Sequence, residues 1–167
     1  MTPAQTDIES IRPVDLTSID QTAFVRCFAD CVVLTKDGKI LLQQRPPDWG
    51  RSAGCLTMFG GHIEPGESPM QAIVRETKEE LGADVLPSDV VSLGAVTEDF
   101  TDHTELVYGY FWHDKRGTIT GCYECEAVYY DRIEGALAHP KIMDYVRWFL
   151  RECANRGLLK TTAPRSP

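Results

Sequence analysis

The apolar positions of this chain follow two periods. Residues 24–35, 40–45, 55–59, 90–96, 105–113 and 124–130 are short runs rich in Val, Leu, Tyr and Phe. Runs of that length and composition predict β-strands. The first two are joined by Lys36-Asp37-Gly38-Lys39, whose Asp-Gly step predicts a hairpin. Along 105–113, Tyr108, Tyr110 and Trp112 alternate and so share one face. Two other stretches repeat with the helical period. Met70, Ile73, Val74, Thr77 and Leu81 form one stripe over 68–81, with Ser68 as N-cap, Pro69 at the first helical position and Gly82 as C-cap. Ile142, Tyr145, Val146, Phe149, Leu150 and Cys153 form the other over 140–156, which Pro140 opens and Gly157 closes. Residues 1–20 carry no period and predict a flexible arm; 158–167 predict a disordered tail.

The outward face of the first helix changes the picture. It carries Arg75, Glu76, Glu79 and Glu80. Carboxylates three and four residues apart lie side by side on a helix and repel by a few tenths of a kcal/mol per pair, ~0.2–0.5. Arg75 reaches Glu79 at the four-residue spacing and cannot neutralise all three acids. A divalent cation can, and magnesium takes one or two carboxylates together with phosphate oxygens and water.

The spacing is more specific than the charge. From Gly61 there are five residues to Glu67, seven more to Arg75, then Glu76, Glu79, Glu80 and Gly82 in close order. At roughly 6% usage per residue type, chance agreement at seven fixed positions is on the order of one in a hundred million per start point. This stretch resembles the Nudix box, G-x5-E-x7-R-E-U-x-E-E-x-G-U, where U is a bulky aliphatic. Thr77 and Ala83 occupy the two U positions, and Leu56 and Phe59 stand where many family members have Trp and Pro. The flanking strands extend the resemblance over roughly 24–150.

The resemblance to Nudix hydrolases implies an α/β fold over 21–157, a mixed, curved sheet between helix 68–81 and helix 140–156. It implies metal-dependent hydrolysis of a nucleoside diphosphate linked to another moiety. Gly60, Glu76, Glu79, Glu80 and Glu124 are then the expected ligands of Mg2+ (or Mn2+). Glu79 or Glu124 is the expected base, with Glu126 the alternative to Glu124; Arg75 orients the carboxylates, and Glu67 bonds to the loop or to water on the metal. Arg45, Trp49, Phe59 and His62 are the expected substrate contacts, Trp49 and Phe59 by stacking on the base, with packing in the core as the other reading. Tyr108, Tyr110, Trp112 and Tyr123 are further rings suited to stacking.

Charge and cysteines narrow the rest. A net charge of −8 argues against a broad nucleic-acid surface, yet one bound cation reverses the local sign for a nucleotide. No apolar run approaches the ~18 residues of a membrane span, and the N-terminus lacks the regions of a signal peptide, so the expected location is the cytoplasm. A homodimer stays open. The six cysteines read as reduced thiols, because Cys122-x-x-Cys125 has no second pair at zinc spacing. Two rival functions share the fold: a nucleotide sensor without catalysis, and an isomerase or protein-partner role.

Overall fold

The computed structural model describes residues 10–162. Eight strands form one mixed sheet: β1 (Ile11–Val14), β2 (Arg26–Leu34), β3 (Ile40–Gln44), β4 (Leu56–Thr57), β5 (Phe59–His62), β6 (Val90–Glu98), β7 (Glu105–His113) and β8 (Glu126–Tyr130). The order is β1-β6-β7-β2-β3-β4, with β5 on β2 and β8 on β3. β2 and β7 run parallel, and the other pairs are antiparallel. Among the described residues three α-helices accompany the sheet: α1 (Pro69–Leu81), α2 (Ile133–Leu137) and α3 (Asp144–Asn155).

Strand alternation divides the core in two. On β2, Cys31 and Val33 face one way with the α1 residues Ile73 and Leu81, while Val32 faces the other with Val146, Phe149 and Leu150 of α3. On β7, Tyr108, Tyr110 and Trp112 join the α1 side, and Val107 and Phe111 the α3 side. Gly109 lies between them because the Phe149 ring occupies the place where a Cβ would stand. The sheet is thus covered by α1 on one face and α3 on the other, and the α/β expectation holds.

Three boundaries differ from the sequence reading. Ile11–Val14 is a strand paired with residues 95–98, so the arm is ordered at least there; residues 1–9 lie outside the described part. A single buried side chain, Ile11, anchors it, which is too little for a visible period. Leu158 and Leu159 pack against the α3 side of the core and the Thr162 N–H donates to Glu134, which corrects the tail reading for 158–162. Pro140 does not open the last helix. Residues 140 and 141 form a turn and the helix waits until Asp144, because Leu56 donates to the Lys141 carbonyl and accepts from the Met143 N–H, a parallel bridge to Ile142. Among the described residues no helix is long and apolar enough to cross a membrane.

Candidate active site

The α1 register is fixed at both ends. Ser68 accepts from the Gln71 N–H at 3.1 Å while Gln71 accepts from the Ser68 N–H at 2.8 Å, a reciprocal capping box. Gly82 ends the helix with φ 64, the left-handed cap. Between these ends, Thr77 turns inward and donates to the Ile73 carbonyl at 2.6 Å, so a small residue suffices at that buried position.

Arg75 is the organising cation. Its Nε and Nη2 donate to the two Glu67 oxygens at 2.8 and 2.9 Å, a fork on a carboxylate. Nη1 donates to Glu76 at 2.8 Å and stands 3.6 Å from Glu79; Nη2 also reaches the His62 carbonyl at 2.9 Å. The pair pulls the Glu67 acid down to about 2, chiefly through the Arg75 hydrogen bonds. Glu67 also accepts from the Glu64 N–H, so it ties the loop 62–67 to the helix.

Glu80 is the buried acid, at 2% exposure. It accepts from Gln43 Nε2 and from the Gly60 N–H, both at 2.8 Å. Burial pushes it up to about 8 despite these bonds, and the charges of Asp30 and Glu76 add to the rise. Glu76 is raised as well, first by burial, against the pull of Arg75 and with Glu79 and Glu124 nearby. The glycine pair makes room for both acids. Gly60 has φ 148, and a Cβ there would overlap the Ala29 carbonyl; a Cβ on Gly61 would stand 2.6 Å from Glu76 Oε1.

Asp30 is the acid that sequence reasoning missed. It lies on β2 opposite Gly60, is 7% exposed, and rises to about 6 through burial, tempered by a hydrogen bond from the Tyr145 hydroxyl and by Arg45. A lone acid inside an apolar strand run was the available signal. Gln43, which holds Glu80, was read only as part of a strand.

These side chains fit a hard divalent cation by their chemistry: buried and half-buried carboxylate oxygens around a glycine cradle, with more negative charge than Arg75 neutralises. They do not close into a cage, and among the described residues no three His, Cys, Asp or Glu side chains converge as one. Glu76 and Glu79 lean on Arg75, and Glu80 leans on Gln43. Magnesium accepts such an arrangement, since it keeps waters and substrate phosphates as ligands.

Glu124 precedes β8 on a loop hung from the end of α1, where the Tyr123 N–H donates to the Glu80 carbonyl at 2.9 Å. Its charge reaches Glu76. Glu126 instead sits within β8 opposite Gln44. Cys122 Sγ lies 2.9 Å from the Cys125 carbonyl, and all six cysteines are free thiols.

The substrate contacts divide. Arg45 donates to the Ser52 hydroxyl and stands 5.9 Å over the Trp49 ring, which is 44% exposed. His62 is exposed, its ring 4.7 Å from Phe28. Phe59 is a correction: it has 0% exposure and packs among Ile73, Leu81 and Cys31, so it cannot stack on a ligand. Tyr108, Tyr110 and Trp112 are core residues for the same reason. Phe59→Ala should therefore cost stability, about 3–5 kcal/mol, with the Michaelis constant of the folded fraction unchanged. Trp49→Ala should raise the Michaelis constant with little change in melting temperature. Steady-state kinetics beside thermal melts check both; a raised Michaelis constant in Phe59→Ala at wild-type stability contradicts the assignment.

A cavity of about 250 Å3 is lined in part by Arg51, Ser52, Glu98, Phe100, Lys141 and Asp144, and Tyr145 links its Glu98 to Asp30. Arg45 adjoins the cavity through Ser52, while its charge also acts on Asp30 and Cys125.

The NUDIX domain model matches residues 27–158. The chain belongs to the Nudix family. This Nudix chain is 34% identical over 110 residues to the CTP pyrophosphohydrolase of Escherichia coli (strain K12), an alignment covering 65% of the chain and 77% of that enzyme. Its fold is similar to the MutT protein of Methanosarcina mazei Go1 (TM-score 0.66, 22% identity, 79% of this chain and 94% of that one). It is similar also to the E. coli ORF135 protein (TM-score 0.60, 27% identity, 83% and 96%). The chain is thus a MutT-like Nudix hydrolase.

Proposed function

We propose that this Nudix hydrolase cleaves the diphosphate of a nucleoside triphosphate, or of a nucleoside diphosphate joined to another group, with Mg2+ or Mn2+ held by the α1 carboxylates. The observation that carries the reading is the acidic surround of the Gly60–Gly61 step: Glu80 accepts from the Gly60 N–H, Glu76 lies against Gly61, and Asp30 stands opposite Gly60 on β2. Similarity to a CTP pyrophosphohydrolase supports a nucleotide.

Glu76, Glu79 and Glu80 would hold the cation, with the Gly60 carbonyl and Glu124 completing its protein ligands. Once bound, it neutralises the carboxylates, polarises phosphoryl oxygens and activates water as a nucleophile. The protein's own residues do the rest. Arg75 keeps Glu76 aimed along the helix and pins the loop that carries the glycine pair. Gln43 and the Gly60 N–H fix Glu80 in one orientation. Glu79 or Glu124, both reaching solvent, removes the proton from water. Arg45, bonded to the cavity residue Ser52 and acting by charge on Asp30, would meet a phosphate or sugar oxygen. Trp49, partly exposed beneath Arg45, would stack on the base.

Product analysis on a panel of nucleoside triphosphates, nucleotide sugars and dinucleoside polyphosphates tests this reading. Faster cleavage of a non-nucleotide diphosphate, such as an isoprenoid pyrophosphate, than of every nucleotide would overturn the substrate class and leave the hydrolase intact.

A further inference from the structure

The cavity lined by Arg51, Phe100 and Asp144 holds a group that the hydrolytic step does not use. Glu98, the last residue of β6, lines it and is 5% exposed. It stands one side chain away from the metal-binding face: the Tyr145 hydroxyl bonds Asp30, while the Tyr145 backbone N–H bonds the Glu98 carboxyl. Tyr145 is in the first turn of α3, so this contact satisfies one of the N–H groups that a helix start leaves unpaired. It uses one of about four lone-pair sites on a carboxylate. The other polar walls of the cavity that Glu98 lines are partly occupied. Arg51 pairs with Glu105 at 3.1 Å and stacks 5.2 Å over Phe100, and Asp144 accepts from Ser10 at 3.0 Å. Phe100, half exposed, offers a ring face at the same cavity.

Taken with the hydrolase reading above, on which it rests, the geometry points to Glu98 as the residue that selects the base. Its carboxyl accepts a hydrogen bond from the exocyclic amino group of a cytosine-type or adenine-type ring stacked on Phe100. The matching keto rings, uracil and hypoxanthine, direct a carbonyl oxygen at the same acceptor and are disfavoured. Burial, with Asp144, Glu105 and Asp30 adding charge nearby, pushes the carboxyl up to about 7. The acceptor-only carboxylate dominates above that pH, whereas the protonated acid carries an O–H that can donate to a keto oxygen, so the substrate pairs below are compared at about pH 8.5. A buried acceptor left facing another acceptor loses about tenfold or more in selectivity.

The test is kcat/KM for two matched pairs, CTP against UTP and ATP against ITP, in the wild type and in Glu98→Gln. The amide keeps an acceptor for the Tyr145 N–H, so the fold is retained, and its NH2 offers a donor to a keto oxygen. The wild type is expected to favour the amino member of each pair at least tenfold, and Glu98→Gln to bring the ratio towards one at an unchanged melting temperature. Equal rates within each pair in the wild type would overturn the proposal without touching the hydrolase reading. A common loss on all four substrates in Glu98→Gln, with the ratios intact, would leave only the helix-capping role. If the wild type cleaves none of the four, the nucleotide reading has failed and this inference falls with it.

Discussion

Glu80→Gln is expected to lower kcat by at least two orders of magnitude while leaving the fold intact. Losing a charged ligand removes both charge stabilisation and water activation at the metal. The substitution keeps shape and one acceptor for the Gly60 N–H. Gln43 can reorient towards the new amide, since its own Oε1 has no partner. Stability without metal should change in a pH-dependent way. The Glu80 pKa is 4.5 unperturbed and about 8 in the folded chain, so the fold favours the protonated acid. Between those values the native state binds the extra proton, and native stability falls as pH rises. The melting temperature of metal-free Glu80→Gln should therefore match the wild type below about pH 4.5 and exceed it increasingly up to about pH 8. Near-normal turnover in this variant would remove Glu80 from the site.

Gly61→Ala is expected to lower kcat/KM about a hundredfold, the scale of a 1 Å misplacement in an active site. The new Cβ would stand 2.6 Å from Glu76 Oε1 and 2.9 Å from its carboxyl carbon. The obstacle is the far end of a side chain, so Glu76 swings away instead of the strand breaking. Gly61 pairs with Ala29 in the sheet and needs no left-handed backbone, so the melting temperature should fall by only a few degrees. Gly60→Ala is a different case, because its Cβ would overlap backbone; that variant should fail to fold. Full activity in Gly61→Ala would show that Glu76 does not act from its observed place.

How much of this was legible in the sequence differs by element. The α1 stripe, its caps and the spacing from Gly61 to Gly82 are local, and local signals survive in sequence. Arg75 and Glu67 were readable as positions of the box, but the fork between them was not: the four-residue spacing pointed Arg75 at Glu79 and left Glu67 to the loop or to water on the metal. Phe59 was misread because an aromatic beside the glycine pair looks identical whether it faces a ligand or the core. Only the sheet decides, and pairing with Cys31 on β2 turns it inward. Asp30, Gln43 and Glu98 belong to separate strands that meet through pairing far along the chain, and no spacing rule joins them. The late start of the last helix at Asp144 escaped for a similar reason: Leu56, more than eighty residues earlier, supplies the hydrogen bonds that hold Lys141 and Met143.

The central claim is that the acidic face of α1 hydrolyses a nucleotide diphosphate through a divalent cation. The most direct measurement is product analysis of CTP and ATP incubated with the purified chain, first stripped by chelator and then with Mg2+ restored. The expected result is no turnover in the stripped protein, and release of nucleoside monophosphate and pyrophosphate once Mg2+ returns, with Glu80→Gln at least a hundredfold slower than the wild type. Equal turnover with and without the cation, or near-normal turnover in Glu80→Gln, would contradict it.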